Sequence, residues 1–356
     1  MNRVIVFLVG VVLFSTMPAA VGAPVSVSAQ SAQPSCSFPF SATDATGTHV
    51  TVDSEPERVV ALQPSAAQTM WEIDADGKVV GMPIGPTTSY LNGSESRTDV
   101  TGDDGFSTSI ETVVSAEPDL VLAPNSVPNE TVETLRSAGL TVYKFGLSES
   151  IEDVSTKTSH TGRLVGACEA ASQRAEAMNE TVASIESATT DQDRPRVLYV
   201  MSDGYTPGNG TFIHEIITSA GAENVAATAN ITGYQQINPE TVIQRDPQWI
   251  ITPDHMSALP NRTAYAETTA LQNDQTVSVD SNYVSQPAPR VVRPMKTLAQ
   301  TFHPDAFSAS TASSPGDERT DVTSGPQATA TTGPGFSVVA AVLAVLTLSG
   351  ALFARR

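Results

Sequence analysis

Apolar positions in the first half of the chain alternate between short buried runs and helical spacing. Residues 58–62 form a run rich in β-branched side chains, residues 66–73 carry apolar side chains at helical spacing, and residues 79–82 are apolar again. A strand, a helix and a second strand in quick succession predict a βαβ unit with a parallel sheet. The alternation continues to residue 150, so we predict an N-terminal α/β lobe over residues 36–150.

A segment without proline separates this lobe from a second one. Residues 151–190 carry apolar side chains at helical spacing and predict one long linking helix, either continuous or interrupted near Gly162. Residues 194–304 then repeat the strand and helix alternation and predict a C-terminal α/β lobe. The predicted fold class is therefore α/β, with two Rossmann-like lobes of parallel sheet joined by one long helix.

The two ends of the chain have a different pattern. Residues 1–29 carry Arg3, then an apolar run and small residues, which is the layout of a secretory signal peptide. Residues 305–332 are dominated by Ser, Thr, Ala, Pro and Gly and predict a flexible or glycosylated stalk. Residues 333–356 contain an apolar run of about bilayer-spanning length that ends at two arginines. These features predict an exported protein anchored at its C-terminus on the extracellular face of the membrane.

The charge of the chain limits the classes of partner that the protein can bind. The sequence has 38 acidic and 19 basic residues, which gives a formal net charge of -19. Because no basic stripe is present, nucleic-acid binding is disfavoured. Acidic residues spread along the chain give a solvated, repulsive surface, which fits a monomer adapted to high salt.

The cysteines and the sequons are informative only if the protein is exported. Cys36 and Cys168 could form one disulfide in an oxidising compartment, but the sequence alone leaves their pairing open. Six Asn-x-Ser/Thr sequons are candidate glycan sites on surface loops. They begin at Asn92, Asn129, Asn179, Asn209, Asn230 and Asn261.

Signatures of catalysis and metal binding are missing from the sequence. The five histidines form no zinc-binding spacing, and His255, after a predicted strand, has no evident partner ligands. Neither a nucleophile elbow, nor a Walker loop, nor a dinucleotide fingerprint is present. We therefore predict no enzyme activity, no cofactor and no metal site. A structural or adhesive surface protein is the other class considered, but it would leave two α/β lobes unexplained.

Several short sequence segments within residues 58–304 resemble those of class III solute-binding proteins, in which a rigid helix joins two lobes. The matching segments are residues 58–65, residues 109–111 together with 116–121, and residues 221–225, 237–240 and 289–292. The resemblance implies a ligand held in a cleft between the lobes and delivered to the membrane subunits of an ABC importer. Because one long helix would resist hinge bending, we expect little lobe movement when the ligand binds. Separately, Gly-Pro-Gly-Phe at residues 333–336 resembles the PGF-type sorting signal of haloarchaeal surface proteins, in which a lipid replaces the span.

Within that family the chain is most similar to the cobalamin-binding group, so the implied ligand is cobalamin or another corrinoid. The alternative is a ferric siderophore or haem. The positions that match ligand contacts are Pro64, Ser65, Pro83, Tyr90, Asp203, Tyr205, Thr206, Tyr234, Asn282 and Tyr283. Loop tyrosines suit a flat macrocycle, which is held by aromatic faces and a few hydrogen bonds. These loops contain almost no lysine or arginine, which disfavours an anionic siderophore.

The resemblance also implies how the protein meets its importer. Family members use one acidic residue on each lobe to contact arginines of the membrane subunits. Glu95 and Glu215 stand near the expected places in this sequence. We therefore expect these two carboxylates to dock the protein on the importer.

Overall fold

The computed structural model describes residues 36–256, 258–260 and 262–311. The predicted signal peptide, the sorting signal, Asn261 and all of the predicted stalk after residue 311 lie outside these residues. Among the described residues, no helix combines the length and apolarity needed to cross a membrane.

The first lobe is a parallel sheet flanked by helices, preceded by a small hairpin. Its elements are β1 (Phe40–Thr43), β2 (His49–Val52), β3 (Val59–Ala61), α1 (Pro64–Glu72), β4 (Val79–Met82), β5 (Thr98–Asp99), α2 (Ile110–Ser115), β6 (Leu120–Ala123), α3 (Asn129–Ser137) and β7 (Val142–Lys144). Strands β1 and β2 pair antiparallel, whereas the main sheet has the order β5-β4-β3-β6-β7 with every pairing parallel.

Two helices follow, namely α4 (Ile151–Val165) and α5 (Cys168–Thr189). The second lobe contains β8 (Arg196–Tyr199), β9 (Tyr205–Pro207), α6 (Phe212–Ser219), β10 (Glu223–Asn224), α7 (Val225–Thr228), β11 (Tyr234–Gln236), α8 (Pro239–Arg245), β12 (Trp249–Pro253), α9 (Thr269–Gln272), β13 (Thr276–Val279), α10 (Ser281–Ser285), α11 (Val292–Phe302) and α12 (Pro304–Thr311). Its main sheet is parallel, in the order β10-β8-β12-β13, and β9 pairs antiparallel with β11.

Both main sheets are buried on their two faces. In β3, Val59 and Ala61 pack into one core cluster while Val60 packs into the cluster on the opposite face. In β8, Val197 and Leu198 divide in the same way between two clusters of the second lobe. Successive side chains of a strand point to opposite faces, so central strands covered on both sides are apolar at every position. The predicted α/β fold with two lobes of parallel sheet is confirmed.

Residues 151–190 do not form one continuous helix; the segment is interrupted, as the second alternative allowed, but at Gly166 and not at Gly162. Helix α4 ends at Gly166, which has a left-handed φ of 80°, and α5 begins two residues later. The two helices then pack side by side: a Cβ placed on Gly162 would lie 2.3 Å from the Cβ of Ala171. The apolar periodicity is the same on both helices, so it does not reveal the reversal, whereas the glycine at the C-cap does.

Each of these helices contacts both lobes. Helix α4 starts in the core of the second lobe with Ile151 and ends in the core of the first lobe with Leu164. Helix α5 runs back, from Ala171 in the first core to Ile185 in the second. The link between the lobes is therefore a helical hairpin.

A disulfide ties the start of the described chain to this hairpin. Cys36 and Cys168 are bonded, with their Cα atoms 5.5 Å apart. Cys168 is the first residue of α5, so the bond joins the segment before β1 to the point where the hairpin reaches the first lobe. The pairing that the sequence left open is thus present in the structure.

Candidate ligand cleft

A cavity of about 750 Å³ lies between the two lobes. The first lobe contributes residues 63–65, 87, 125–126 and 147–149, and the second contributes residues 210–212, 233–234, 255, 281–282 and 284–287. Segments 125–126 and 147–149 follow β6 and β7, and residue 255 follows β12, so these walls come from the carboxyl ends of parallel strands. The volume lies within the range of roughly 300–1,000 Å³ that is usual for ligand pockets.

Four of the predicted ligand-binding residues line this cavity: Pro64, Ser65, Tyr234 and Asn282. Pro64 and Ser65 open helix α1. Asn282 lies in α10, and Tyr234 begins β11 with its side chain 49 % exposed. These residues come from distant parts of the chain, and the structure brings them to one cleft.

Helix α6 also begins at the cavity. Thr211 caps the helix, because its hydroxyl oxygen accepts a hydrogen bond from the backbone N–H of His214 at 3.1 Å. Phe212 follows the cap and lines the same cavity. With α1, this places two helix N-termini at the cleft, where their unpaired N–H groups favour hydrogen-bond acceptors of a ligand.

Tyr90 and Tyr283, also predicted as ligand contacts, instead contact each other across the lobes. Their rings pack edge to face, with centroids 5.4 Å apart, and neither is among the residues that line the cavity. The Tyr90 hydroxyl donates to Gln286 Oε1 at 2.7 Å and accepts from Gln68 Nε2 at 2.8 Å. Burial raises the pKa of Tyr90 to about 12, so the hydroxyl keeps its proton at physiological pH.

An ion-paired carboxylate lies beside this tyrosine pair. Glu72 of α1 accepts hydrogen bonds from Arg290 Nε at 2.6 Å and forms an ion pair with Arg174 Nη2 at 2.7 Å. The Arg290 guanidinium also lies 5.0 Å from the centroid of the Tyr90 ring. We call Gln68, Glu72, Tyr90, Arg174, Tyr283, Gln286 and Arg290 the interlobe network. Gln286 belongs both to this network and to the cavity wall, so the wall is connected to the contact between the lobes.

The remaining predicted contacts lie outside the lining of the cavity. Tyr205 is exposed on β9, and its register opposite Gln236 puts it on the same face of the two-stranded β9–β11 sheet as Tyr234. Thr206 is fully buried, and the carbonyl of Asp203 accepts a hydrogen bond from Gln236. Pro83 lies in the loop after β4, where its carbonyl accepts the Thr88 hydroxyl at 2.9 Å.

The two acidic residues expected to dock the importer differ in their surroundings. Glu95 is exposed in the first lobe. Glu215 is half-buried, and its Oε1 accepts the backbone N–H of Ile151 at 3.0 Å at the start of α4. Burial raises the pKa of Glu215. One oxygen of Glu215 therefore already has a role in holding α4 against α6.

Several lining residues were not assigned to the site from sequence. They include Leu147, which is 63 % exposed, together with Phe212, Gln286 and His255. Leu147 and His255 follow strands, and this position after a strand is the sequence signal that could have found them. The described residues contain no group of three or more His, Cys, Asp or Glu side chains that could hold a metal ion.

Comparisons with known proteins agree with this architecture. A family model described as periplasmic binding protein matches residues 59–283. The cobalamin-binding protein of Halobacterium salinarum is 44 % identical over 279 residues, covering 75 % of each chain. Among solved structures, the periplasmic vitamin B12 binding protein BtuF of Vibrio cholerae has a TM-score of 0.60 at 21 % identity, covering 69 % of this chain and 96 % of its own.

A haem-binding protein shares the fold equally well. The periplasmic haem-binding protein RhuT from Roseiflexus has a TM-score of 0.62 at 21 % identity, covering 70 % of this chain and 99 % of its own. At such identities these structures establish the fold alone. The family match and the 44 % identical relative establish more: the chain belongs to the periplasmic binding protein family, and it is a solute-binding component and not an enzyme.

Proposed function

We propose that this protein is the extracellular substrate-binding component of an ABC importer and that it captures cobalamin or another corrinoid between its lobes. The observation that carries the proposal is the 44 % identity to a cobalamin-binding protein over most of the chain. The cavity of about 750 Å³ lies at the interlobe position that the resemblance implied.

The chemistry of the cavity wall suits a corrinoid. Tyr234, Leu147 and Phe212 offer aromatic and apolar surface for the flat ring. Amide side chains at Gln63 and Asn282 can both donate and accept hydrogen bonds, which matches the amide groups around the edge of a corrin. A wall of this composition binds a large neutral ligand without requiring a charged partner.

Haem or a ferric siderophore is the second candidate ligand. It is considered because a haem-binding protein shares this fold. Both ligands commonly carry carboxylates or a net negative charge. None of the described residues that line the cavity is a lysine or an arginine. The cleft therefore offers such ligands no cationic partner, and the corrinoid is the better fit.

We also propose the cellular context that the ends of the sequence indicated. Residues 1–29 would direct export, and residues 333–356 would hold the protein at the outer face of the membrane, either as a span or after replacement by lipid. The five sequon asparagines within the described residues are all exposed, as glycan attachment requires. Membrane fractionation of cells that express the chain with and without residues 333–356 tests the anchor: loss of the segment should release the protein.

We also propose that Glu95 and Glu215, one on each lobe, dock the protein on the importer. Exposure favours Glu95, while the Glu215 carboxylate retains one oxygen beyond the bond to Ile151. Charge reversal by Glu95→Lys should reduce uptake of the ligand by the importer without changing the affinity of the protein for the ligand. Unchanged uptake would remove Glu95 from the docking surface.

The ligand is tested by fluorescence titration of the full-length chain in high salt, with cyanocobalamin and with a ferric hydroxamate siderophore. We expect saturable quenching by cyanocobalamin. The Tyr234→Ala variant should weaken binding roughly fivefold, because an aromatic contact contributes about 1 kcal/mol. Tyr205→Ala is the matched control, since it removes an exposed tyrosine of the same two-stranded sheet that does not line the cavity. Saturation by the siderophore alone would overturn the corrinoid proposal.

A further inference from the structure

One histidine is fixed at the wall of the cleft. His255 lies two residues after the end of β12, in a turn closed by a hydrogen bond from Met256 N to the Pro253 carbonyl at 3.0 Å. The preceding residue, Asp254, extends the strand pairing through its N–H to the Val279 carbonyl at 2.9 Å. Its carboxylate accepts the backbone N–H of Ser281 at 3.0 Å. The backbone of His255 is thus held at the carboxyl end of the sheet.

The imidazole of His255 is available to a ligand. It lines the cavity, it is exposed, and it makes no hydrogen bond to any other residue that the structure describes. The other histidines differ from it. His214 pairs with Asn224, His303 pairs with the Gly221 carbonyl, and His160 packs among aromatic rings. His49 is exposed on β2 and does not line the cavity.

A single imidazole is insufficient for a bare metal ion. A zinc site needs three or four protein ligands, and no group of three candidate ligands exists within the described residues. A metal at the centre of a macrocycle has its four equatorial positions already filled. Such a metal takes only an axial ligand from the protein, and imidazole is a common one. One histidine at the wall of a cleft is therefore enough to bind a metal that is already held at the centre of a macrocyclic ligand.

We infer that His255 supplies an axial imidazole ligand to the central metal of a macrocycle bound in the cleft. This inference rests on the proposed function and identifies the side chain that coordinates the metal of the ligand. In the binding step, an unprotonated ring nitrogen of His255 donates its lone pair to the metal, and the water that occupied that axial position leaves. The oxidation state of the metal does not change, and no other reactant is consumed.

The inference also predicts which forms of the ligand are preferred. A corrinoid with an exchangeable axial water can accept the imidazole, whereas one with both axial positions filled by tightly held groups cannot. The same chemistry applies to the iron of haem, so the inference concerns a macrocycle-bound metal with one open axial position. The absence of lysine and arginine from the described cavity wall favours the cobalt corrinoid.

The experiment is a visible-absorption titration of diaquacobinamide, and separately of haemin, with the full-length chain and two variants. His255→Ala removes the proposed ligand, and His49→Ala removes an exposed histidine that does not line the cavity. Exchange of water for imidazole shifts the visible bands of either metal complex. The wild type and His49→Ala should give the shift, while His255→Ala should lose it and bind the open form at least about tenfold more weakly.

Cyanocobalamin separates this inference from the proposed function. Its axial positions are filled, so its binding, followed by tyrosine and tryptophan quenching, should lose only the packing contact of the ring in His255→Ala, which is a much smaller loss than for diaquacobinamide. A shift with haemin alone would identify haem as the ligand and retain the axial role of His255. Binding of cyanocobalamin without any band shift for diaquacobinamide or haemin, or a shift that persists in His255→Ala, would overturn the inference alone. Failure of every macrocycle to bind would overturn both.

Discussion

Arg290 of the second lobe donates through its Nε to Glu72 Oε1 of the first lobe at 2.6 Å, and this contact crosses the junction beside the cleft. The Glu72 side chain is only 12 % exposed, and its other oxygen pairs with Arg174 on α5. One carboxylate therefore joins both lobes and the helical hairpin. Such a junction supports the hypothesis that the ligand enters with little rotation of the lobes.

Replacement of Glu72 should strongly reduce the stability of the folded protein. Glu72→Gln leaves two half-buried guanidinium groups without a charged partner, so we expect the free energy of unfolding to fall by about 3 kcal/mol. Glu55→Gln is the matched control, because the Glu55 carboxylate is 57 % exposed and its pair with Lys78 should contribute less than about 1 kcal/mol. Urea denaturation at neutral pH measures both variants. Equal losses in the two would show that the interlobe network does not hold the lobes together.

The close packing of α4 on α5 gives a second prediction. A methyl group at Gly162 would overlap the Cβ of Ala171, so Gly162→Ala should reduce stability by about 1–3 kcal/mol. Gly146→Ala serves as the control, because the added Cβ there meets nothing within 4 Å. Thermal unfolding followed by circular dichroism should show a lower midpoint only for Gly162→Ala. A midpoint equal to that of the wild type would mean that the hairpin opens readily.

The sequence predicted the sheets better than the connection between them. Buried strands such as β6 and β12 are marked by continuous apolar runs, since both of their faces are covered. The hairpin was missed because the helices share one apolar periodicity. Its reversal depends on the backbone of Gly166 and on a close approach at Gly162, which are local features within a long periodic segment.

The site was predicted in part for a similar physical reason. Pro64 and Ser65 begin a helix after a strand, a position that local sequence reveals, and both line the cleft. Tyr90 and Tyr283 have the same loop surroundings in sequence as Tyr234, but the structure pairs them with each other. Contacts between residues far apart in the chain depend on how the lobes meet, and no local pattern encodes that.

The disulfide gives a third prediction. Cys36→Ser should lower the free energy of unfolding by about 2–4 kcal/mol, because the crosslink restricts a long loop of the unfolded chain. A reducing agent should lower the stability of the wild type by a similar amount and leave Cys36→Ser unchanged. Guanidinium denaturation with and without the reductant makes the comparison. A wild type that is insensitive to a reductant shown to open the bond would contradict the expected contribution.

Lys157 of α4 donates a hydrogen bond to the Pro287 carbonyl of the second lobe. Burial lowers the pKa of Lys157 from its usual value of 10.5 to about 8, and the nearby carboxylate of Asp153 opposes this change. Below pH 8 the lysine is charged in both the folded and the unfolded states, so the folded state bears the full cost of burying the charge.

Between pH 8 and 10.5 the folded protein releases this proton while the unfolded chain retains it. The unfolded state then binds more protons, so the free energy of unfolding should rise with pH in this window. Relative to Lys157→Met, the wild type should gain about 3 kcal/mol from pH 7 to 10.5. Lys296→Met, which removes an exposed lysine of α11, should follow the wild-type curve. Parallel curves for the wild type and Lys157→Met would show that Lys157 titrates as it does in water, and that its burial between the lobes carries no electrostatic cost.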